Sequence, residues 1–424
     1  MTHIQADFSN VLGTIKPMHA INNAPMVKSM FHYMGEAGIP YVRLHDTGGR
    51  YGGFVYVDIE NVFRDFGKDP SDPASYDFAF TDDLLQDICA QGAKPFYRLG
   101  ATIENDHRIR PYRIFPPKDN EKWARICEGI IRHYNEGWAD GFHMGIEYWE
   151  IWNEPDNEPV IADNPMWKGT DQEFFRLYEI TSRHLKKCFP HLKIGGYASC
   201  GFYAALEKSS DPNAHVSPRV DYFVSFFRDF LTYITSPGHE CPLDFFSWHS
   251  YGSREDNAFY ADFARKTLDA FGFQSTESIL NEWNPGIRFR GEMEDLSNIA
   301  AMMIGMQKCG LDMLMYYDGQ VNSSYCGLYD PVKKGIFKAY WAFPAFDALY
   351  RLGQWTWAES DDPQVMCLAA RGESGCAILL VNLSGEEKGI CLPGEPRRVR
   401  VADENHDFTE STALGAYGIM LAEY

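Results

Sequence analysis

The feature that most constrains this chain is a repeated alternation of short β-type runs with longer amphipathic stretches. The runs that read as strands are Val11–Met18, Tyr41–His45, Lys94–Leu99, Gly145–Trp152, Leu192–Tyr197, Phe245–His249, Ser278–Asn281 and Met313–Tyr317. Helical candidates between them are Ala24–Ala37, Asp82–Gln91, Asn120–Asn135, Asp171–Phe189, Arg219–Tyr233, Tyr260–Phe271 and Asp295–Lys308. In Asp171–Phe189, for example, Phe174, Phe175, Tyr178, Leu185 and Phe189 fall near one helical stripe, and Pro190 stops it. Strand–helix alternation predicts a parallel sheet covered by helices. Eight units fit a closed (β/α)8 TIM barrel with loop insertions better than an open doubly wound sheet. No Gly-rich phosphate-binding motif follows any strand, so a nucleotide-binding α/β fold has no support.

After Leu352-Gly353 the character changes. Gln364–Ala370, Cys376–Asn382 and Arg398–Val401 are β-type runs separated by turn clusters such as Pro393-Gly-Glu-Pro. The expected organisation is a catalytic barrel over residues 1–345 and a small, sandwich-like all-β domain over 346–424, to which N-terminal residues can add a strand. A structural role packed against the barrel is preferred for it over a carbohydrate-binding module.

Charge narrows the partners. Lysine plus arginine number 39 against 59 aspartate plus glutamate, a net charge of −20. Such a surface repels phosphate backbones and anionic lipid, and Lys333-Lys334 and Arg397-Arg398 are only short basic pairs, so neither nucleic acid nor membrane is expected. No run approaches the length of a spanning helix. The chain opens Met1-Thr-His-Ile-Gln without a basic start and apolar core, and its ten cysteines show no C-x-x-C pair. A cytoplasmic protein with reduced thiols, and with no metal or cofactor, is the expectation. Self-association into a homo-oligomer is left open.

Two segments carry chemistry. Tyr148-Trp-Glu-Ile-Trp-Asn-Glu-Pro-Asp156 begins as a strand and breaks at Pro155, which cannot donate to a sheet ladder. Asn153 and Glu154 therefore sit at the carboxyl end of the fourth strand, the face where such barrels assemble their sites. Ser278-Ile-Leu-Asn-Glu-Trp-Asn-Pro285 repeats the design and puts Glu282 at the end of the seventh strand. Strands three apart in an eight-stranded barrel lie on the order of 14 Å apart across the interior. Two inward glutamates then leave roughly 5–6 Å between their carboxyl groups, the separation of retaining glycosidases. An ionised neighbour disfavours a second charge, so one glutamate is expected to keep its proton toward neutral pH.

The chain resembles the clan A glycoside hydrolases, and within them glycoside hydrolase family 39, the β-xylosidase and α-L-iduronidase family. The stretches that carry the likeness run in order through the first 330 residues. They are Val42-Arg-Leu-His45, Phe115-Pro-Pro-Lys-Asp119 with Lys122-Trp123, Trp149-Glu-Ile-Trp-Asn-Glu-Pro155, Met166-Trp-Lys-Gly169, Leu192-Lys-Ile-Gly-Gly-Tyr197, Phe246-Ser-Trp-His-Ser-Tyr251 and Asn281-Glu-Trp-Asn284. The resemblance implies Glu154 as general acid/base, Glu282 as nucleophile and Asn153 as partner of the sugar 2-hydroxyl. It implies His45 and His249 as ligands of sugar hydroxyls and Tyr251 as the group orienting the nucleophile.

The chain also departs from that pattern. At the end of the eighth strand the family commonly has a tryptophan platform, and Met315-Tyr-Tyr-Asp-Gly319 offers Tyr317 in its place. Acidic residues that usually follow are replaced by Gln320-Val-Asn-Ser-Ser-Tyr325, which casts doubt on xylose as the sugar. Trp149, Trp152, Trp167, Trp248 and Trp283 lie in the motif segments and suit a carbohydrate pocket, because sugar C–H faces pack on indole. The Gly-rich loop Thr47–Gly53 reads as a turn, and Arg98, Glu104 and Asn105 stand near the third strand's end. The expected function is a retaining, exo-acting glycosidase on terminal glycosides or short oligosaccharides. The alternatives are an endo-acting polysaccharide hydrolase and a non-catalytic sugar-binding barrel.

Overall fold

The computed structural model describes residues 1–45, 57–103, 112–206, 217–323 and 325–424. The first strand, β1 (Thr2–Thr14), lies outside the barrel. The barrel closes from β2 (Ala20–Asn22), β3 (Tyr41–Leu44), β4 (Lys94–Leu99), β5 (Tyr148–Ile151), β6 (Lys193–Ser199), β7 (Phe245–His249), β8 (Glu277–Trp283) and β9 (Met313–Tyr316). Neighbours are parallel throughout, and β2 pairs with β9 to complete the ring. The eightfold TIM barrel is therefore present.

Its first strand is not Val11–Met18. That run is divided: its start belongs to β1, and the barrel strand begins only at Ala20. The three residues Ala20, Ile21 and Asn22 are wholly buried, and so are the flanking polar residues His19 and Asn23. A strand this short, with polar groups hidden inside the barrel, presents no apolar run to the eye.

The long helices follow their stripes. They are α3 (Ala79–Ala90), α4 (Asn120–Glu136), α5 (Asp171–Cys188), α6 (Pro218–Thr235), α7 (Arg254–Ala270), α8 (Met293–Gln307) and α9 (Ala342–Leu352), after the single turns α1 (His32–Glu36) and α2 (Ile59–Val62). In α5, Thr170 and Glu173 form a reciprocal capping box, worth about 1 kcal/mol. Ala24–Ala37, expected as one helix, contains only α1 preceded by a 3-10 turn at Lys28–Met30. Conversely α7 starts at Arg254, six residues ahead of the expected stripe, because Ser253 caps it through the Asp256 N–H.

Strand alternation then sorts the barrel side chains. Val42, Leu44, Tyr97, Leu99, Trp149, Ile151, Ile194 and Leu280 point outward into the large core shared with the helices. Ala20, Phe96, Tyr148, Phe245, Ile279, Met313 and Met315 form a separate apolar cluster. Its members alternate with the outward set along the strands, which makes it the packed layer inside the barrel. Close strand approach requires glycine at Gly195, where a Cβ would sit 2.1 Å from the Phe245 carbonyl oxygen.

After a small hairpin of β10 (Tyr329–Asp330) and β11 (Gly335–Ile336), the chain builds a nine-stranded sheet. Its strands are β12 (Gln354–Ser360), β13 (Val365–Gly372), β14 (Gly375–Asn382), β15 (Lys388–Cys391), β16 (Arg398–Ala402), β17 (Asp407–Glu410), β18 (Ala413–Leu414), β19 (Ile419–Glu423) and β1. Antiparallel pairing of β1 with β12 ties the N-terminus into this sheet. The sheet curls: Ile4 of β1 and Leu414 of β18 share a core with Ile378, Leu380, Val401 and Met420. It packs on α8 and α9 of the barrel. All ten cysteines are free thiols, and no described helix is long and apolar enough to cross a membrane.

Candidate active site

The site is built where the barrel strands end. Glu282 lies near the end of β8 and is almost wholly buried. Its Oε1 accepts a hydrogen bond from Arg43 Nη1 at 2.8 Å, and its Oε2 accepts one from the Tyr251 hydroxyl at 2.9 Å. Glu154 stands just past β5, on a backbone with φ of 46°, two residues after Trp152 at 74°. Left-handed values at such residues cost about 1–3 kcal/mol each and persist only where the surroundings impose them. Here the Trp152 N–H donates to the Leu99 carbonyl at 2.8 Å, and the Glu154 N–H donates to the Ala198 carbonyl at 3.0 Å. The turn so enforced aims the Glu154 carboxylate at His249, whose Nδ1 lies 2.7 Å from Oε1, while Asn157 Nδ2 donates to Oε2 at 2.7 Å.

His249 serves both acids. Its Nδ1 is also 3.4 Å from Glu282 Oε2, and the facing atoms of Glu154, His249 and Glu282 all lie within 4.8 Å of one another. Burial lowers the His249 imidazole, but the Glu282 and Glu154 carboxylates raise it above its ordinary value. Burial raises Glu154, yet the hydrogen bond and charge of His249 outweigh it and hold the carboxyl below its ordinary value. His249 thus competes with Glu154 for a proton. The sequence-based argument weighed the two glutamates without the imidazole between them. His45, with Nε2 3.8 Å from Glu282 Oε1, is held well below its ordinary value by burial and by the charges of Arg43 and Arg98.

Beneath the pair lies a network that sequence reasoning did not single out. Arg43, wholly buried, donates from Nε to Glu150 at 2.8 Å, from Nη1 to Glu282 and to Asn22 at 3.1 Å, and from Nη2 to Asn153 Oδ1 at 2.6 Å. Asn281 Nδ2 donates to the other Glu150 oxygen at 2.6 Å. A buried guanidinium is tolerated when its charge is paired and its donors are used, as they are here. The available signal was parity: Arg43 shares a strand face with His45, and both interrupt an apolar run. Asp156, after the motif's proline, is also buried; burial and the Glu154 charge push its carboxyl up to about 7 despite donors from Ser199 and Cys200.

The remaining candidates divide. Tyr317 and Trp283 both line the cavity above the carboxylates, Tyr317 edge-on to Tyr325 and Trp283 edge-on to Tyr316. Of the five motif tryptophans, only Trp283 does so. Trp149 stacks on Tyr97, Trp152 meets Trp167 edge-on, and Trp248 donates to Ser278, all inside the core. Trp149 and Trp248 occupy outward strand positions, so the expectation that these indoles surround a sugar is overturned. Arg98 also stays below the cavity, donating to Asp58 at 2.6 Å and to the His45 carbonyl at 2.9 Å. Thr47–Gly53, Glu104 and Asn105 lie outside the described residues.

Among the described residues, two trios could hold a cation by proximity: Glu154, His249 and Glu282, and on α4 and α5 Glu128, His184 and Cys188. In the first, Arg43 already supplies the positive charge. The chemical capacity of the site is that of two close carboxylates in different surroundings, one held by a guanidinium and a phenol, the other by an imidazole.

Known proteins with similar sequences and structures bear on this arrangement. A β-xylosidase from Geobacillus stearothermophilus is 28% identical over 229 residues, and one from Caldicellulosiruptor saccharolyticus is 26% identical over 223. Each match takes in 51% of this chain and 37% of the relative, so the chain matches little more than a third of those proteins' length. Among solved structures, a glucosidase from Croceicoccus marinus superposes with a TM-score of 0.78 at 21% identity, covering 100% of this chain and 98% of the other. A monomeric β-xylosidase from Caulobacter crescentus CB15 gives 0.69 at 16% identity, covering 100% and 99%. At such identities these two show the shared fold, barrel and sheet together. The profile of the glycosyl hydrolases family 39 matches residues 2–279, about two thirds of the chain. The chain belongs to glycosyl hydrolase family 39.

Proposed function

We propose that this protein is a retaining glycosidase that removes a terminal sugar from glycosides or short oligosaccharides, in the manner of a β-xylosidase. The observation that carries the reading is that one oxygen of Glu154 and one of Glu282 lie within 4.8 Å of each other, closer than the roughly 6.5–9.5 Å between carboxyl groups that leaves room for a water. Family membership and the β-xylosidase relatives support it.

In this reading Glu282, paired with the Arg43 guanidinium and oriented by Tyr251, attacks the anomeric carbon. Glu154 protonates the departing oxygen with the proton it shares with His249. Ester formation removes the Glu282 charge; Glu154, now ionised, takes a proton from water, whose oxygen attacks the anomeric carbon and frees Glu282. Asn153, positioned by Arg43, faces the sugar 2-hydroxyl, a contact that strengthens as positive charge develops on the ring. His45 remains neutral, so its Nε2 donates to or accepts from a hydroxyl according to the tautomer. Tyr317 supplies the ring face that an indole supplies elsewhere. A cytoplasmic location goes with substrates this small.

Proton NMR of the nascent sugar tests the mechanism. Retention at the anomeric carbon is expected, and inversion overturns the double displacement. A panel of aryl glycosides, from xylose and arabinose through hexoses to uronic acids, identifies the sugar.

A further inference from the structure

The cavity over the two carboxylates has a volume of about 1100 Å³, several times that of one sugar ring. Its lining includes the polar His45, Glu154 and Glu282. The same cavity is lined by Tyr251 and Trp283, by α8, and by Leu383 and Tyr417 of the curled sheet. Residues more than 300 positions apart in the chain thus share one cavity with His45.

The lining contributed by Leu383 and Tyr417 is built rather than incidental. Tyr417 holds a left-handed φ of 53°, an unfavourable state for an aromatic residue. Its N–H donates to the Ser384 carbonyl at 3.0 Å, its hydroxyl faces the Glu294 carboxylate of α8, and the Leu383 N–H donates to the Gln364 carbonyl at 2.8 Å. Asn382 Nδ2 crosses between the two loops to the Gly415 carbonyl at 2.9 Å. Ile287, Phe289, Met302 and Leu383 join the Tyr417 ring as the cavity's apolar lining, beside the charged Arg254, Glu255, Arg288 and Glu294. Ile287 is 61% exposed and Tyr325, at the mouth, 51%. Apolar side chains kept open to water around a cavity mark a place for an apolar ligand.

We propose that the loops around Leu383–Ser384 and Gly415–Tyr417 complete a leaving-group compartment that favours glycosides of bulky apolar aglycones, aryl or alicyclic. This rests on the glycosidase reading. A terminal sugar sits over the two carboxylates, and what it carries extends into the rest of the cavity. Among the described residues the sheet helps to line that cavity. The sheet is therefore part of substrate selection.

The test compares 4-methylphenyl and 4-cyclohexylphenyl glycosides of the same sugar, whose phenols leave with similar ease. The wild type should favour the larger by about tenfold or more in kcat/KM. In Leu383→Gln and in Tyr417→Asn, which accepts the left-handed backbone, that ratio should fall toward one. No size preference in the wild type, or an unchanged ratio in both variants, overturns the proposal. Where the wild type cleaves neither compound, the glycosidase reading fails, and calorimetric titration with 4-cyclohexylphenol decides the compartment separately. Saturable binding weakened in Leu383→Gln upholds it; no binding refutes it.

Discussion

Where the barrel strands begin, the interior is filled by Ala20, Phe96, Tyr148, Phe245, Ile279, Met313 and Met315. Two residues further along the same strands, on the same face, stand Asn22, Arg98, Glu150, Ser247 and Asn281, with Arg43 following Tyr41. Along six of the eight strands a step of about 6.6 Å thus changes the interior from hydrocarbon to charged and hydrogen-bonded side chains, while β9 keeps Met315 beside Met313. Both layers are dry. The first holds together by dispersion and water exclusion, and tolerates any filling of similar volume. The second tolerates only a complete set of partners, because Arg43 offsets its desolvation through Glu150, Glu282, Asn22 and Asn153 at once. One end of the barrel is packed for stability, the other wired for chemistry.

This contrast can be broken deliberately. The largest effect should come from Glu282→Gly, with turnover falling on the order of 10⁴-fold or more. Added azide should then restore product of inverted configuration, read by proton NMR; activity near the wild-type level would remove Glu282 from the mechanism. Next, Arg43→Met leaves Glu150 and Glu282 buried without their cation and should cost about 3–5 kcal/mol in urea unfolding, together with most of kcat. Adding Glu150→Gln to Arg43→Met should recover part of the stability but not the turnover. At the other end, Phe245→Leu should cost about 1 kcal/mol and leave kcat/KM per folded molecule within twofold. A comparable catalytic loss from Phe245→Leu would mean that the two layers are not independent.

The smallest effect is a titration. The His249 imidazole, raised above its ordinary 6.5, contributes stability that is complete below that value and is lost as pH rises through the higher folded one. Glu154, lowered from 4.5, contributes stability complete above its ordinary value and lost as pH falls through the lower one. Their pairing is therefore whole between about pH 4.5 and 6.5 and weakens on either side. NMR titration of His249 should give a value above 6.5 in the wild type and a lower one in Glu154→Gln. An unchanged imidazole in that variant would separate His249 from the acid.

Much of this was legible in the chain itself. The eightfold alternation, the helical stripes and the two glutamates placed at strand ends by Pro155 and Pro285 are local patterns, and local patterns are what a sequence displays. Reading failed where position depends on distant partners. Val11–Met18 looked like a barrel strand because its apolar content is visible, but its first half pairs with Gln354–Ser360. The tryptophans looked like sugar platforms because they sit in the motif, yet strand parity turns Trp149 and Trp248 into the core.

By itself the sequence determined the barrel and the two carboxylates, since periodicity and proline breaks act over a few residues. Tertiary structure alone decided which groups hold the two carboxylates and what lines the cavity. His249 reaches Glu154 from 95 residues away, Arg43 reaches Glu282 across 239, and Tyr417 lines the cavity from far along the chain. Electrostatic coupling depends on distance through space and on burial, and neither is written in the spacing of residues along the chain.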